Sequence, residues 1–211
     1  MSVTDITLGL MSVTVNTLDG RPLGRWQPDS RGRLQEAALA LYAEQGFDQT
    51  TAAEIADRAG LTERTFFRHF ADKREVLFGG SQILKERIVR GVTEAPATDG
   101  PIAAVARGLD AAASLLGEGR RDLARQRQAV IAANPELRER ELSKLADYAT
   151  TVAAALRQRG ASDAQATFAA EAGMTVLRVA LTQWADHDDG RDLNSVMRSS
   201  MAELRGVTAA G

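Results

Sequence analysis

The sequence predicts an all-α protein: a small three-helix head, a connecting helix, and a larger helical body. Three observations lead there. From Ser30 onward apolar residues return at i, i+3, i+4 and i+7, the period of helices with one buried face. The segments are separated by helix punctuation, with glycine after the last periodic residue and Ser, Thr or Asp before the first. Aromatic residues are only 5% of the chain while alanine is abundant, a composition that suits helices and calls for no strand.

At 211 residues and 44% apolar, the chain can bury one large core or two small ones. It has no cysteine, which excludes disulfides, thiolate zinc sites and cysteine nucleophiles and is compatible with a reducing cytoplasm, the expected location. The net charge of −2 argues against nonspecific polyanion binding by the whole surface, so any nucleic-acid contact must be local. No apolar run of about 18 residues predicts a membrane span. No basic region precedes the first apolar residues, so no secretory signal is expected.

Residues 1–28 lack helical periodicity, and Leu18-Asp19-Gly20-Arg21-Pro22 reads as a turn. They are expected to form a flexible tail, with Arg21, Arg25 and Trp26 as an alternative DNA-reaching arm. The repeated Met-Ser-Val-Thr at positions 1 and 11 leaves both Met1 and Met11 as starts. The head is expected over 29–74. Its first helix carries Leu34, Ala37, Ala38, Leu41 and Tyr42 on one face and ends at Gly46. Arg31 and Arg33, near its start, are placed to lie along phosphates.

The stretch TAAEIADRAGLTERTFFRHFADK, Thr51 to Lys73, reads as two short helices across a tight turn. Thr51 and Glu54 have the spacing of a capping box, Ile55, Ala56 and Ala59 give the first helix an apolar stripe, and Gly60 can end it in a left-handed conformation. Thr62 caps the second, whose Arg64, Thr65, Phe67, Arg68 and His69 make it too polar to be buried. Phe47, Ile55, Leu61, Phe66 and Phe70 supply the head's core. Helix, glycine-containing turn, helix is the helix-turn-helix pattern, in which the second helix enters the DNA major groove. Arg64 and Arg68 are then the residues for base edges, because an Arg fork matches guanine O6 and N7; Glu63 can accept from cytosine N4. One short helix reads few base pairs, so two copies about 34–36 Å apart on a palindromic operator are expected.

With Phe66, Phe67, His69 and Phe70 followed by Asp72-Lys73-Arg74-Glu75, the stretch resembles the DNA-binding domain of the tetracycline-repressor (TetR) family of bacterial transcriptional regulators. It departs from the family pattern in Leu61 for Val, Thr62 for Ser, Arg74 before Glu75, and Phe67 for the usual Tyr, whose hydroxyl typically meets a phosphate. The resemblance implies DNA-backbone contacts at Thr65, Phe67, His69 and Lys73, and at Thr51 and Ala52 at the start of the preceding helix. It further implies a homodimeric repressor whose C-terminal ligand-binding and dimerisation domain takes a small-molecule effector that shifts the connecting helix and releases DNA.

That domain is expected over 75–211. Asp72 caps a helix continuing through Val76, Leu77, Ile83, Leu84 and Ile88, the connection between head and body. After a break near Glu94 to Pro101, a stripe of Ile102, Val105, Ala106, Leu109, Ala112, Ala113 and Leu116 closes at Gly117 and Gly119. The next helix carries Leu123, Val130 and Ile131 until Asn134-Pro135, where Asn caps the following helix. That helix, with Leu137, Leu145, Val152 and Leu156, ends at Gly160, and Ser162 with Gln165 opens another reaching about Trp184. The latter is apolar on two flanks and needs two partners. With the last helix it is expected to form a four-helix interface between subunits, using Leu177, Leu181, Trp184, Val196, Met197 and Leu204. The alternative is burial of both flanks within one protomer.

Arg127 on an apolar stripe, and the polar line Glu171, Thr175, Arg178 and Thr182, suggest a pocket with Tyr148, Phe168 and Met174 as its apolar wall. The alternatives are an Arg127 reaching solvent and a Glu171 to Arg178 ion pair. No nucleophile, base and orienter set and no phosphate loop is present, so no enzyme and no cofactor is expected. His187 among Asp186, Asp188 and Asp189 reads as a loop rather than a metal site. A helical adaptor that kept the motif without DNA binding is the alternative function, against which Arg64, Arg68 and Lys73 speak.

Overall fold

The computed structural model describes residues 30–115, 120–187 and 190–209, and within them the chain is helical with no strand. The head consists of α1 (Ser30–Gln45), α2 (Ala52–Arg58) and α3 (Glu63–His69), followed by the short α4 (Lys73–Leu77). The body is built from α5 (Ser81–Thr93), α6 (Pro101–Ala113), α7 (Arg121–Ala133), α8 (Pro135–Gln158), α9 (Asp163–Asp186) and α10 (Leu193–Ala209). Thr51 with Glu54 and Ser162 with Gln165 form the two capping boxes the spacing predicts, and Gly46, Gly60 and Gly160 adopt positive φ of 88°, 64° and 93° where the periodic stripes stop.

The connecting helix is not continuous. Asp72 caps α4 by accepting from the Arg74 and Glu75 amides, but the helix stops at Leu77 and resumes only at Ser81. Phe78 is buried, and two consecutive glycines after it favour a break, each costing about 1 kcal/mol in a helix interior. Gly79 is also sterically required: a Cβ there would come within 2.8 Å of Gln35 Nε2 and of the Phe70 ring. Asn134 corrects a second expectation. Its side chain makes no cap for α8, and its Nδ2 instead donates at 2.6 Å to the Val130 carbonyl, finishing α7.

Two apolar clusters result. One surrounds the head: Leu34, Leu41, Phe47, Ile55, Phe66 and Phe70 pack with Val76, Leu77 and Phe78, and with Val130, Ile131 and Leu137 from the α7–α8 corner. Burying each large side chain contributes roughly 1.5–3 kcal/mol, so the head is held by its own core and by this corner. The second cluster fills the body between α5, α6, α8, α9 and α10. Its helices approach closely because they meet at glycines: a Cβ on Gly108 would lie 2.6 Å from the Ile88 carbonyl oxygen, and one on Gly173 2.3 Å from Val105.

Candidate nucleic-acid interface

The α2–turn–α3 unit is fixed from its backbone outward. The Thr51 hydroxyl accepts from the Glu54 amide at 3.2 Å while Glu54 accepts from the Thr51 amide at 2.8 Å, which starts α2. The Gly60 amide donates to Asp57 at 2.8 Å and the Leu61 amide to Ala56 at 2.8 Å, which turns the chain. Thr62 then caps α3 by accepting from the Thr65 amide at 3.2 Å. Phe66 is fully buried and carries the inner face of α3, with Phe67 edge-on to it at 5.3 Å. One buried aromatic thus fixes which residues turn outward: Glu63, Arg64, Phe67 and Arg68 are exposed. Phe67 leaves 53% of its surface open, a large apolar group on a helix otherwise polar.

Among the described residues, Arg64 and Arg68 have no hydrogen-bond or ion-pair partner, unlike the neighbouring cations. Arg58 is held bidentately by Glu44 at 2.9 and 2.6 Å, and Arg74 pairs with Asp72 at 2.7 Å. His69 is partly buried, and its Nε2 is buried without a partner. Burial, then the charges of Arg68 and Arg31, push its imidazole below the ordinary histidine range, so it is neutral near pH 7. Thr51, Ala52 and Thr65 lie at the two helix N-termini.

Three residues expected on phosphates point elsewhere. Arg31 donates to the Gly79 carbonyl and stacks over Phe70 at 5.2 Å; Arg33 donates to the Ala59 carbonyl. Lys73 Nζ meets the carbonyls of Phe47, Asp48 and Thr50 at 2.8, 3.1 and 3.0 Å. Carbonyls beyond helix ends lack intrahelical donors and attract cations, and these sites take Arg31, Arg33 and Lys73 inward.

The body corrects two further groupings. Leu177, Trp184, Val196 and Met197 are at most 2% exposed, enclosed within one protomer, with Leu181 and Leu204 packed partly buried against the same core. The outward row of α9 is the polar line Glu171, Thr175, Arg178 and Thr182, with Phe168 75% exposed at its N-terminal end. The faces are exchanged because Ala166, Ala169, Ala170, Gly173 and Ala180 let neighbours approach one side of α9 and draw that side in. The expected pocket therefore does not assemble. Met174 is core, Phe168, Thr175 and Arg178 face outward, and Tyr148 donates to the Ser81 carbonyl at 2.6 Å, burial pushing its phenol up to about 12. Arg127 donates at 2.8 Å to the Leu77 carbonyl, pairs with Glu141 at 3.1 Å and lies over Phe78. A surface groove between α6 and α10 has Leu109, Met197 and Met201 along its floor and Asp110 and Arg198 at its rim. His187 Nδ1 lies 3.1 Å from the Gln183 carbonyl, while Asp188 and Asp189 fall outside the described residues, as do Arg21, Arg25, Trp26 and Leu116.

Spacing did not reveal the contact between head and body. Glu75 on α4 accepts from Arg140 at 2.7 Å and from Lys144 at 2.9 Å, both on α8. Burial opposes its charge, and the Lys144 and Arg140 hydrogen bonds outweigh that, holding its carboxyl below the ordinary range. With the Arg127 hydrogen bond to the Leu77 carbonyl, two ion pairs and one hydrogen bond tie α4 to α7 and α8. Partners up to 69 residues apart in the chain leave no sequence signal.

Residues 34–78 match the model of "Bacterial regulatory proteins, tetR family", and residues 99–209 that of the "MftR C-terminal domain". The HTH-type transcriptional regulator TcmR of Streptomyces glaucescens is 36% identical over 76 residues, 36% of this chain and 34% of that protein. The HTH-type transcriptional repressor KstR2 of Mycobacterium tuberculosis is 45% identical over 47 residues, 22% of this chain and 24% of its own. The matched segments thus span about a third or less of these relatives. Among solved structures, FadR of Bacillus subtilis in complex with stearoyl-CoA superposes with a TM-score of 0.57 at 23% identity, covering 82% of this chain and 96% of that one. The SmeT–triclosan complex does so with 0.58 at 21% identity, over 84% and 90%. No helix among the described residues is long and apolar enough to cross a membrane.

Proposed function

The chain belongs to the TetR family of bacterial transcriptional regulators, and from that premise we propose that it is a ligand-responsive repressor binding a palindromic operator as a homodimer. The observation that carries this reading is the outward face of α3, where Arg64 and Arg68 stand exposed and, among the described residues, unpaired, beside cations that are engaged within the protomer. Unpaired guanidinium forks on a helix anchored by one buried phenylalanine are what base-edge recognition needs. Glu63 and Phe67 flank them, and Thr51, Ala52 and Thr65 offer helix-start amides and hydroxyls to phosphates. The outer row of α9, from Phe168 to Thr182, is the surface left for a second copy, because the more apolar flanks are closed inside the protomer. A small-molecule effector in the body acts by favouring an arrangement of the head that cannot span both half-sites.

Selection of bound sequences from a random duplex pool tests this. The expected result is a palindrome, with each Arg to Ala change at position 64 or 68 costing about 1–3 kcal/mol of discrimination. A palindrome whose affinity survives both changes would remove α3 as the reading helix. Stearoyl-CoA and triclosan are the first compounds to offer as releasing ligands, since structural neighbours are described as holding them.

A further inference from the structure

The outer row of α9 carries two charges with no use inside the protomer. Glu171 and Arg178 are exposed, and among the described residues neither has a hydrogen-bond or ion-pair partner. They lie two turns, about 10.5 Å, apart along one edge of the helix. Other charges on the body surface are matched: Lys85 with Asp147, Arg157 with Asp163 and Arg198 with Asp110. Beside the two runs a seam with the spacing of a coiled coil, in which Phe168, Ala172, Thr175, Val179 and Thr182 follow one another by alternating steps of four and three residues. Ala172 and Val179 are half-buried and the other three exposed, Phe168 with 75% of its surface open. Glu171 and Arg178 each directly precede one of the half-buried positions, so both flank the seam on the same side, where charges between paired helices choose the orientation of the partner. A parallel copy would set glutamate against glutamate and arginine against arginine. A copy turned antiparallel about a twofold axis beside Thr175 sets position 171 opposite 178 twice over and covers each Phe168 ring with Thr182 of the partner subunit.

We propose that α9 meets α9 of a second copy antiparallel, with Glu171 of each protomer paired to Arg178 of the partner subunit. The proposal rests on the homodimer reading above and names the contact that fixes the direction and register of its interface. The row is self-complementary in charge only when reversed, so the occupant it fits is its own copy. An interface that repeats the same pair about a twofold axis also relates the two recognition helices by the symmetry a palindrome requires.

Charge reversal in the full-length protein tests the pairing. Glu171→Lys alone and Arg178→Glu alone each turn both pairs repulsive in their own homodimer, whereas one chain of each kind, mixed, regains both attractions. Dimer dissociation constants come from sedimentation equilibrium, and the composition of mixed dimers from native mass spectrometry. The expected result is a constant about tenfold higher for either single variant, and a return to within about threefold of wild type for the doubly reversed chain. The two single variants, mixed, should form heterodimer beyond the share that random exchange gives. Single variants that dimerise as tightly as the wild type and exchange at random would overturn the proposal while leaving the homodimer reading intact. Preferential pairing of Glu171→Lys with the wild-type chain would mark a parallel contact and overturn it as well. A wild-type chain that stays monomeric would remove the homodimer reading and the proposal together. Should a reversed chain not fold, the neutral Glu171→Gln and Arg178→Gln give a double-mutant cycle on the dimer constant: favourable coupling supports the pairing, and coupling indistinguishable from zero overturns it.

Discussion

Replacing Glu75 by glutamine measures how firmly the head is held to the body. The carboxylate bridges α4 to Arg140 and Lys144 of α8, with Glu75 and Lys144 side chains only 21% and 22% exposed and Arg140 45%. A charge-assisted hydrogen bond between part-buried groups contributes about 1.5–3 kcal/mol. The more exposed Arg140 pair adds about 0.2–1 kcal/mol. Glutamine keeps one acceptor, so a net loss of about 1–3 kcal/mol is expected, lowering the midpoint of thermal unfolding by about 2–4 °C for each kcal/mol in a chain of this size. The sign with pH follows from the lowered carboxyl of Glu75. The contribution is present in full above the unfolded carboxyl's value, about 4.3, and is lost as pH falls through the lower folded value. The wild type and Glu75→Gln should therefore begin to converge in stability as pH falls below about 4.3 and meet only below the folded carboxyl's lower value. Chemical denaturation at neutral and acid pH, with a double-mutant cycle against Lys144→Met, provides the assay. A coupling energy within about 0.3 kcal/mol of zero at neutral pH would refute the tie between α4 and α8.

Gly108→Ala should destabilise the fold by about 1–3 kcal/mol despite alanine's better helix propensity, because the new methyl would meet the Ile88 carbonyl and Val92 across the α5–α6 crossing. A neutral or more stable variant in denaturant titration would mean these helices do not touch there. Tyr148 has a phenol raised to about 12 by burial, so its contribution is fully present below the unfolded value of about 10 and is lost as pH rises towards 12. Tyr148→Phe should cost about 0.5–1.5 kcal/mol at neutral pH through the bond to the Ser81 carbonyl and should flatten the alkaline limb of the stability profile. Thr51→Ala should cost about 1 kcal/mol and weaken DNA binding, whereas the same change at Thr150, an exposed mid-helix residue of α8, should leave binding unchanged; equal effects at both positions would remove the special role of the α2 cap.

The local features were legible in the sequence because they depend on neighbours a few residues apart. Thr51 with Glu54, Ser162 with Gln165, and the left-handed Gly46, Gly60 and Gly160 fix where helices begin and stop, and one buried Phe66 fixes which face of α3 turns outward. Those rules were sufficient for the all-α class, the helix-turn-helix and the exposure of Arg64 and Arg68. Tertiary structure decided which cations remain free and which helix faces look inward. Whether Arg31, Arg33 and Lys73 reach solvent depends on carbonyls 23 to 48 residues away, and whether Leu177 and Trp184 or Thr175 and Arg178 face out depends on where α9's small residues let other helices approach. Apolar periodicity measures how much of a helix is buried; packing of the whole chain determines against what.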